Sequence, residues 1–359
     1  PFLFEISNLE CVTDLGVNIH FVFKSYKISS KIILFKLIKG KLLDYQSYLN
    51  VRLDVINLGK MLSPMIIVFS ISLLFSQFFQ LLKPFKKNFL TLLNMVLFLG
   101  FGFLIWFHLE IFKYLKIIDP LTKEALGRYC IPLWIETEKL FFWLLIFSVM
   151  VFLRSRKESL FENTLHVVLS LFAISVALFS NPFLNPLPQF HIEITELNFI
   201  FKSADPNILL QVIPQALGRL KYFYNSSYMW MHPPMLFISY ASFLISFLAS
   251  IFMFFKNDNE TESIAYNYCK FGYIFLTLGI LIGYPWAIIA WKDDPWWWAP
   301  KINMTLIMWL LYTSYLHSKL YIHKKGMWKI TAFISILAFL TLILTYVTTY
   351  LIPGTHSYG

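Results

Sequence analysis

The chain has 359 residues, is 58% hydrophobic and 14% charged, and carries a formal net charge of +10. So little charge cannot keep the surface of a soluble domain of this size wet, which excludes a soluble globular protein. Apolar stretches of about 20 residues, each enough to cross about 30 Å of hydrocarbon, recur along it. The class that follows is a polytopic, all-α transmembrane bundle. The positive charge then belongs to loops beside anionic lipid rather than to a nucleic-acid surface.

In chain order, residues 1–62 form an N-terminal segment without a spanning run, and "KIILFKLIKGKLL" (31–43) interleaves lysine with aliphatics as an interfacial helix would. Eight spans are predicted at roughly 63–82, 89–107, 133–153, 164–180, 233–255, 271–290, 302–322 and 328–352. They divide into a four-span N-terminal bundle (63–180), a long loop (181–232) and a second four-span region (233–359). The prolines of 181–232 predict an irregular loop with at most short helices. Lys83, Lys86, Lys87, Arg154, Lys256, Lys319 and Lys329 flank short connections on one side, which the positive-inside rule makes the inner side.

Span parity then places three features together on the outer side. "MWMHPPMLFISY" (229–240) carries His232 ahead of two prolines that suit the first turn of a helix. Two crossings later comes "DDPWWWAP" (293–300), and two more lead to His356. Six of the eleven tryptophans lie between Trp286 and Trp309, so their clustering is not a composition effect. An aromatic belt at the membrane interface accounts for many such clusters. Two imidazoles beside Trp291, Trp296, Trp297 and Trp298 would also suit a planar macrocycle, with the nitrogens as axial ligands to iron and the indoles as stacking faces. Lys292 and Lys301 flank the turn and would suit its propionates. His166 and His317 lie near the inner ends of their spans, where each is either a snorkelling side chain or a ligand of a membrane-embedded haem. Cys11, Cys130 and Cys269 form no C-x-x-C motif, so the chain offers no dithiol of its own.

In order, "SNPF" (180–183), "NILLQ" (207–211), "MHPPMLFISY" (231–240), "FLTLGILIGYPWA" (275–287), "WWWAPKIN" (296–303), "YLHSK" (315–319) and "GTHSYG" (354–359) resemble the motifs of CcmF. CcmF is the haem-lyase subunit of a cytochrome c maturation system, within the haem-handling superfamily marked by a tryptophan-rich "WWD" domain. The resemblance runs from about residue 131 to 359, and it is to an N-terminal piece of a mitochondrial form split between polypeptides. It implies His232 and His356 as ligands of a substrate haem b on the outer face, with Trp291 and Trp296–Trp298 as its platform. It implies His317 as one ligand of a second, membrane-embedded haem b, whose other ligand is His166 or comes from a C-terminal partner chain. The implied partners are apocytochrome c, a haem chaperone, a thiol-reducing maturation subunit and membrane lipids, in the mitochondrial inner membrane. The turn departs from the family pattern, with Ala299 and Ile302 where an Asp and a Glu are usual, and Asp293 and Asp294 lying earlier. Glu138 matches the acid of a family segment whose histidine is missing nearby. Two other readings stay open: a haem-export or chaperone-loading protein of the same superfamily, and a non-catalytic membrane subunit.

Overall fold

The computed structural model describes residues 44–118, 124–154, 159–203, 206–292 and 296–352. The interfacial reading of 31–43, Asp293, Asp294 and His356 fall outside them. The elements, in order, are α1 (Tyr45–Phe75), α2 (Lys86–Tyr114), a hairpin of β1 (Lys116–Ile118) and β2 (Ala125–Arg128), α3 (Glu138–Arg154) and α4 (Leu160–Phe179). Then come α5 (Pro188–Ser203), α6 (Pro206–Arg219), a π-turn (Leu220–Tyr224), α7 (Ser227–Phe255), α8 (Asn259–Ala290), α9 (Pro300–Ser318) and α10 (Trp328–Leu351). A helix stands at each of the eight expected spans, and the all-α membrane bundle is the fold observed. Six helical segments are long and apolar enough to cross a membrane; α3, with 17 residues, and α9, with 19, are the two shorter ones packed among them.

Helices are the only open-ended way to satisfy backbone groups in hydrocarbon, and the bundle uses small residues to bring them together. The first half pairs α1 with α2 and α4, and α3 with α4; the second pairs α7 with α8 and α9 with α10, and α7 joins the halves through α3. Phe243 of α7 stacks on Tyr312 of α9 at 3.6 Å and 11°. Gly272 of α8 makes room for that stack, since a Cβ there would stand 2.8 Å from the Phe243 ring. At the end rich in lysine, Lys86 reaches Asn163 at 2.7 Å, Arg154 reaches Glu162 at 2.7 Å and Lys319 reaches Glu262 at 3.4 Å. Part of that charge therefore ties helix ends to one another.

Three boundaries differ from expectation, each for a local reason. Helix α1 starts at Tyr45 rather than near 63, capped by the Asp44 carboxylate on Ser47 N–H at 3.3 Å. Its first turns are polar because they leave the membrane and support the outer cap, where Arg52 donates to Asn185 Oδ1 at 2.6 Å and to the Pro186 carbonyl at 3.3 Å. The 181–232 loop holds two real helices, of 16 and 14 residues, because Pro188 and Pro206 occupy first-turn positions where a missing N–H costs nothing. Helix α7 starts at Ser227, so Pro233 and Pro234 lie inside it rather than in its first turn. The carbonyl that Pro233 leaves without its helical N–H belongs to Met229, and the Trp134 indole donates to it at 2.7 Å.

"SNPF" is a plug between helices. Asn181 donates to Ser63 Oγ on α1 at 2.6 Å, and its own Oδ1 accepts from Phe183 N–H at 3.0 Å. Phe183 is then driven against Gly59 of α1 and Gly100 of α2. A Cβ on Gly59 would collide with Phe183 Cβ, and one on Gly100 would stand 2.9 Å from the ring. Gly59→Ala should therefore cost about 1–3 kcal/mol through overpacking that backbone cannot relieve. A thermal unfolding curve in detergent checks this, and an unchanged midpoint would refute the plug.

Candidate functional site

The end of the bundle opposite those lysines holds a cavity of about 570 Å³, within the usual ~300–1,000 Å³ range of ligand clefts. One wall is the membrane bundle: His232, Leu236, Phe237 and Tyr240 from α7, Trp286 from α8, Lys301 from α9, and Thr345 and Tyr346 from α10. The other wall is the cap: Gln189, Ile192, Glu193 and Glu196 from α5, Arg219 from α6, and Glu136 with Lys139 at the start of α3. Trp291 also lines it, packed edge-on to Trp286 at 4.6 Å and 78°. Cations, acids, one imidazole and three indoles, Trp134 among them, thus converge on one space.

His232 is held in a defined state. Its Nδ1 lies 2.7 Å from the Gly279 carbonyl, which can only accept, so Nδ1 carries the proton. Nε2 then keeps its lone pair, and it has no protein partner among the described residues. An imidazole so fixed is suited to bind a metal centre through Nε2. The Trp286 indole donates to the Tyr222 carbonyl at 3.3 Å and so ties the end of α8 to the π-turn before α7.

The cap is clamped by carboxylates. Glu136 adopts a left-handed backbone conformation (φ 46°) that aims its carboxylate at the start of α5. There it accepts from Gln189 N–H at 2.9 Å and Phe190 N–H at 3.0 Å, the exposed donors of a helix N-terminus. Burial outweighs these two bonds and pushes the Glu136 carboxyl up to about 7. Glu193 accepts from Tyr224 Oη at 3.2 Å, and burial raises its carboxyl too, against the pull of Arg219. Beside the cavity, Glu138 is fully buried and faces His108 Nε2 at 2.9 Å, while His108 Nδ1 donates to the Ile131 carbonyl at 2.8 Å. The histidine missing next to Glu138 in sequence is supplied in space by α2. Breaking such a buried pair is costly, so it fixes the start of α3.

The structure treats the sequence-predicted residues unequally. His232, Trp291 and Lys301 meet at the cavity. Trp296 packs on Tyr284 at 5.6 Å instead, and Trp297 and Trp298 are 52% and 71% exposed, so the three-tryptophan turn stands outside the described cavity wall. Lys292 is exposed as well. His317 is exposed on α9, with Nδ1 against its own helix at the Thr313 carbonyl, 2.8 Å away. His166 is fully enclosed on α4, which packs on α1 and α3, whereas α9 packs on α10 and α8. The two share no substantial helix interface. Residues that sequence reading missed are Arg219, Glu136, Trp134, Gly279 and Gly283. Only the glycines left a signal, a spacing of four within "FLTLGILIGYPWA".

Fold and site together define a multi-pass helical bundle with an imidazole, three indoles and several cations around one cavity. The family described as Cytochrome C assembly protein matches residues 133–356, and this chain belongs to that family. The cytochrome c biogenesis protein CcsA of Chlamydomonas reinhardtii is 34% identical over 149 residues, covering 38% of this chain and 41% of the algal protein. The CcsA of Prochlorococcus marinus (strain NATL1A) is 37% identical over 107 residues, 29% of this chain and 33% of its own length. That of Synechococcus sp. (strain WH7803) is 35% identical over 107 residues, 29% of this chain and 32% of its own. The matched stretch thus spans less than half of each relative.

The raised Glu136 carboxyl has a pH consequence. Between its ordinary value and about 7, the folded protein holds a proton that the unfolded chain has released. The associated stability is present in full below about pH 4.5 and is lost as pH rises through about 7. The unfolding midpoint should fall between roughly pH 5 and 8, by up to ~3 kcal/mol equivalent, and Glu136→Gln should flatten that fall. Parallel pH series on the two proteins check it; identical slopes would remove Glu136 as the cause.

Proposed function

We propose that this chain is a haem-holding subunit of a cytochrome c haem lyase, acting at the outer face of its membrane. The observation that carries the reading is His232: an imidazole with its Nδ1 proton committed and its Nε2 open, beside a cavity with indole faces and cations. The residues fit haem b as a substrate. His232 Nε2 would meet the iron, Trp286 and Trp291 would lie against the macrocycle, and Lys139, Lys301 and Arg219 would answer the two propionates. The motif resemblance adds His356 as the second ligand. Thr345 and Tyr346, late in α10, already line the cavity ten or so residues before it.

In this reading the chain supplies position and the exclusion of water, and haem supplies the reactive vinyl groups. An apocytochrome c with C-x-x-C-H would bring both thiols. Each thiol adds across one vinyl, sulfur to the carbon next to the ring and hydrogen to the terminal carbon, so no external oxidant is consumed. The substrate's own histidine would then replace one of the chain's ligands and release the product. A haem chaperone upstream and a thiol-reducing subunit for the apocytochrome are the partners this chemistry requires. The relatives named above are CcsA proteins, so the lyase reading is put forward without the CcmF-type label. The mitochondrial inner membrane, the division at 62, 180 and 232, and a second haem b on His317 remain parts of the same proposal. Because α4 and α9 lie apart, a partner chain is a better source of that haem's other ligand than His166.

Export or chaperone loading of haem would use the same cavity without forming thioether bonds. Purified with its partner chains, the protein should show a Soret band, and replacing His232 and His356 together by alanine should remove the outer-site haem while a haem on His317 survives. Absence of any Soret band in the complete complex would sink the haem reading. Haem binding without covalent product, when apocytochrome c and reductant are supplied, would favour export.

A further inference from the structure

We propose that Gly279 and Gly283 of α8 are positioning residues for His232, setting which ring nitrogen is presented and in which plane. The proposal rests on the reading of His232 as an iron ligand. The two glycines stand one turn apart on the face of α8 that meets α7. A Cβ on Gly283 would lie 2.6 Å from both Cε1 and Nδ1 of His232, so the imidazole edge occupies the space any other side chain would need. A Cβ on Gly279 would lie 2.7 Å from Leu236 Cδ2, one turn along α7. Gly283 therefore leaves a slot that the imidazole edge fills, and Gly279 lets α7 approach at Leu236 so that its own carbonyl reaches Nδ1.

The slot has a polar floor. The Gly279 carbonyl, with two lone pairs, takes the Nδ1 proton at 2.7 Å alongside its helical role. That bond fixes the tautomer and makes Nε2 the more basic nitrogen, as second partners of metal-bound histidines do. Closeness of helices alone would explain small residues at both positions. It would not explain why the space at Gly283 is filled by the Nδ1 edge of the histidine that lines the described cavity wall.

The test uses the full chain with its partner subunits, loaded with haem, and reads axial ligation by optical and electron paramagnetic spectra. Gly283→Ala should convert at least half of the outer-site iron from low to high spin, and free imidazole should restore the low-spin signal. His232→Ala should behave the same way. Gly279→Ala, which keeps the carbonyl and presses on Leu236, should lose less. A wild-type spectrum in Gly283→Ala, or a loss that imidazole does not restore, overturns the positioning role. An unchanged spectrum in His232→Ala instead overturns the ligand reading beneath it. Should Gly283→Ala fail to assemble, nuclear–electron double resonance on the unmutated protein decides: an exchangeable proton on the remote nitrogen Nδ1 is expected, and ligation through Nδ1 refutes the slot.

Discussion

The outer half of this protein depends on how closely α7 and α8 approach. Where two helices touch backbone to side chain, the choice of residue at the contact is no longer free, and here glycine on one side faces histidine on the other. The same approach lets Trp286 and Trp291 line one cavity with His232. Prolines within α7 would ordinarily weaken a helix in lipid, because the freed carbonyl has no water to turn to. Trp134 supplies the missing donor, so the loop before α3 becomes part of the α7 wall.

The cap is joined to this wall by polar contacts that belong to helix ends. Glu136 closes the N-terminus of α5, Asn185 and Pro186 are held by Arg52, and Tyr48 Oη meets His191 Nδ1 at 3.2 Å. Leu187, just before α5, shares with Glu136 a left-handed backbone (φ 45°). Both strained residues flank the point where the cap enters, which suggests that the strain is the cost of placing α5 over the cavity rather than a random irregularity.

Hydropathy made the eight helices legible, and parity made the shared face of His232 and the Trp291 region legible, because both depend only on counting. Lysine placement grouped Lys86, Arg154 and Lys319, and the structure ties each to a side chain of another helix. What lay out of reach was contact across distant segments. No local pattern says that the histidine for Glu138 comes from α2, or that Arg219 reaches the cavity. The prolines of 181–232 misled for a specific reason. Read as breakers, they gave a loop; at first-turn positions they start helices, and a list of proline positions does not distinguish the two. The triple tryptophan drew attention through its rarity, while the single indoles at 286 and 291 took the cavity positions.

Helix α1 has a consequence for geometry outside the cavity. Its 31 residues rise to about 46 Å, against about 30 Å of hydrocarbon, and it runs unbroken through Pro64. Some 16 Å therefore exceed the hydrocarbon thickness, and the cap is pinned to the first turns of the helix by Arg52 and Tyr48. The height of the cap above the hydrocarbon is thus a length counted in residues. A protein docking on that cap meets it at a set elevation, as a carriage meets a platform.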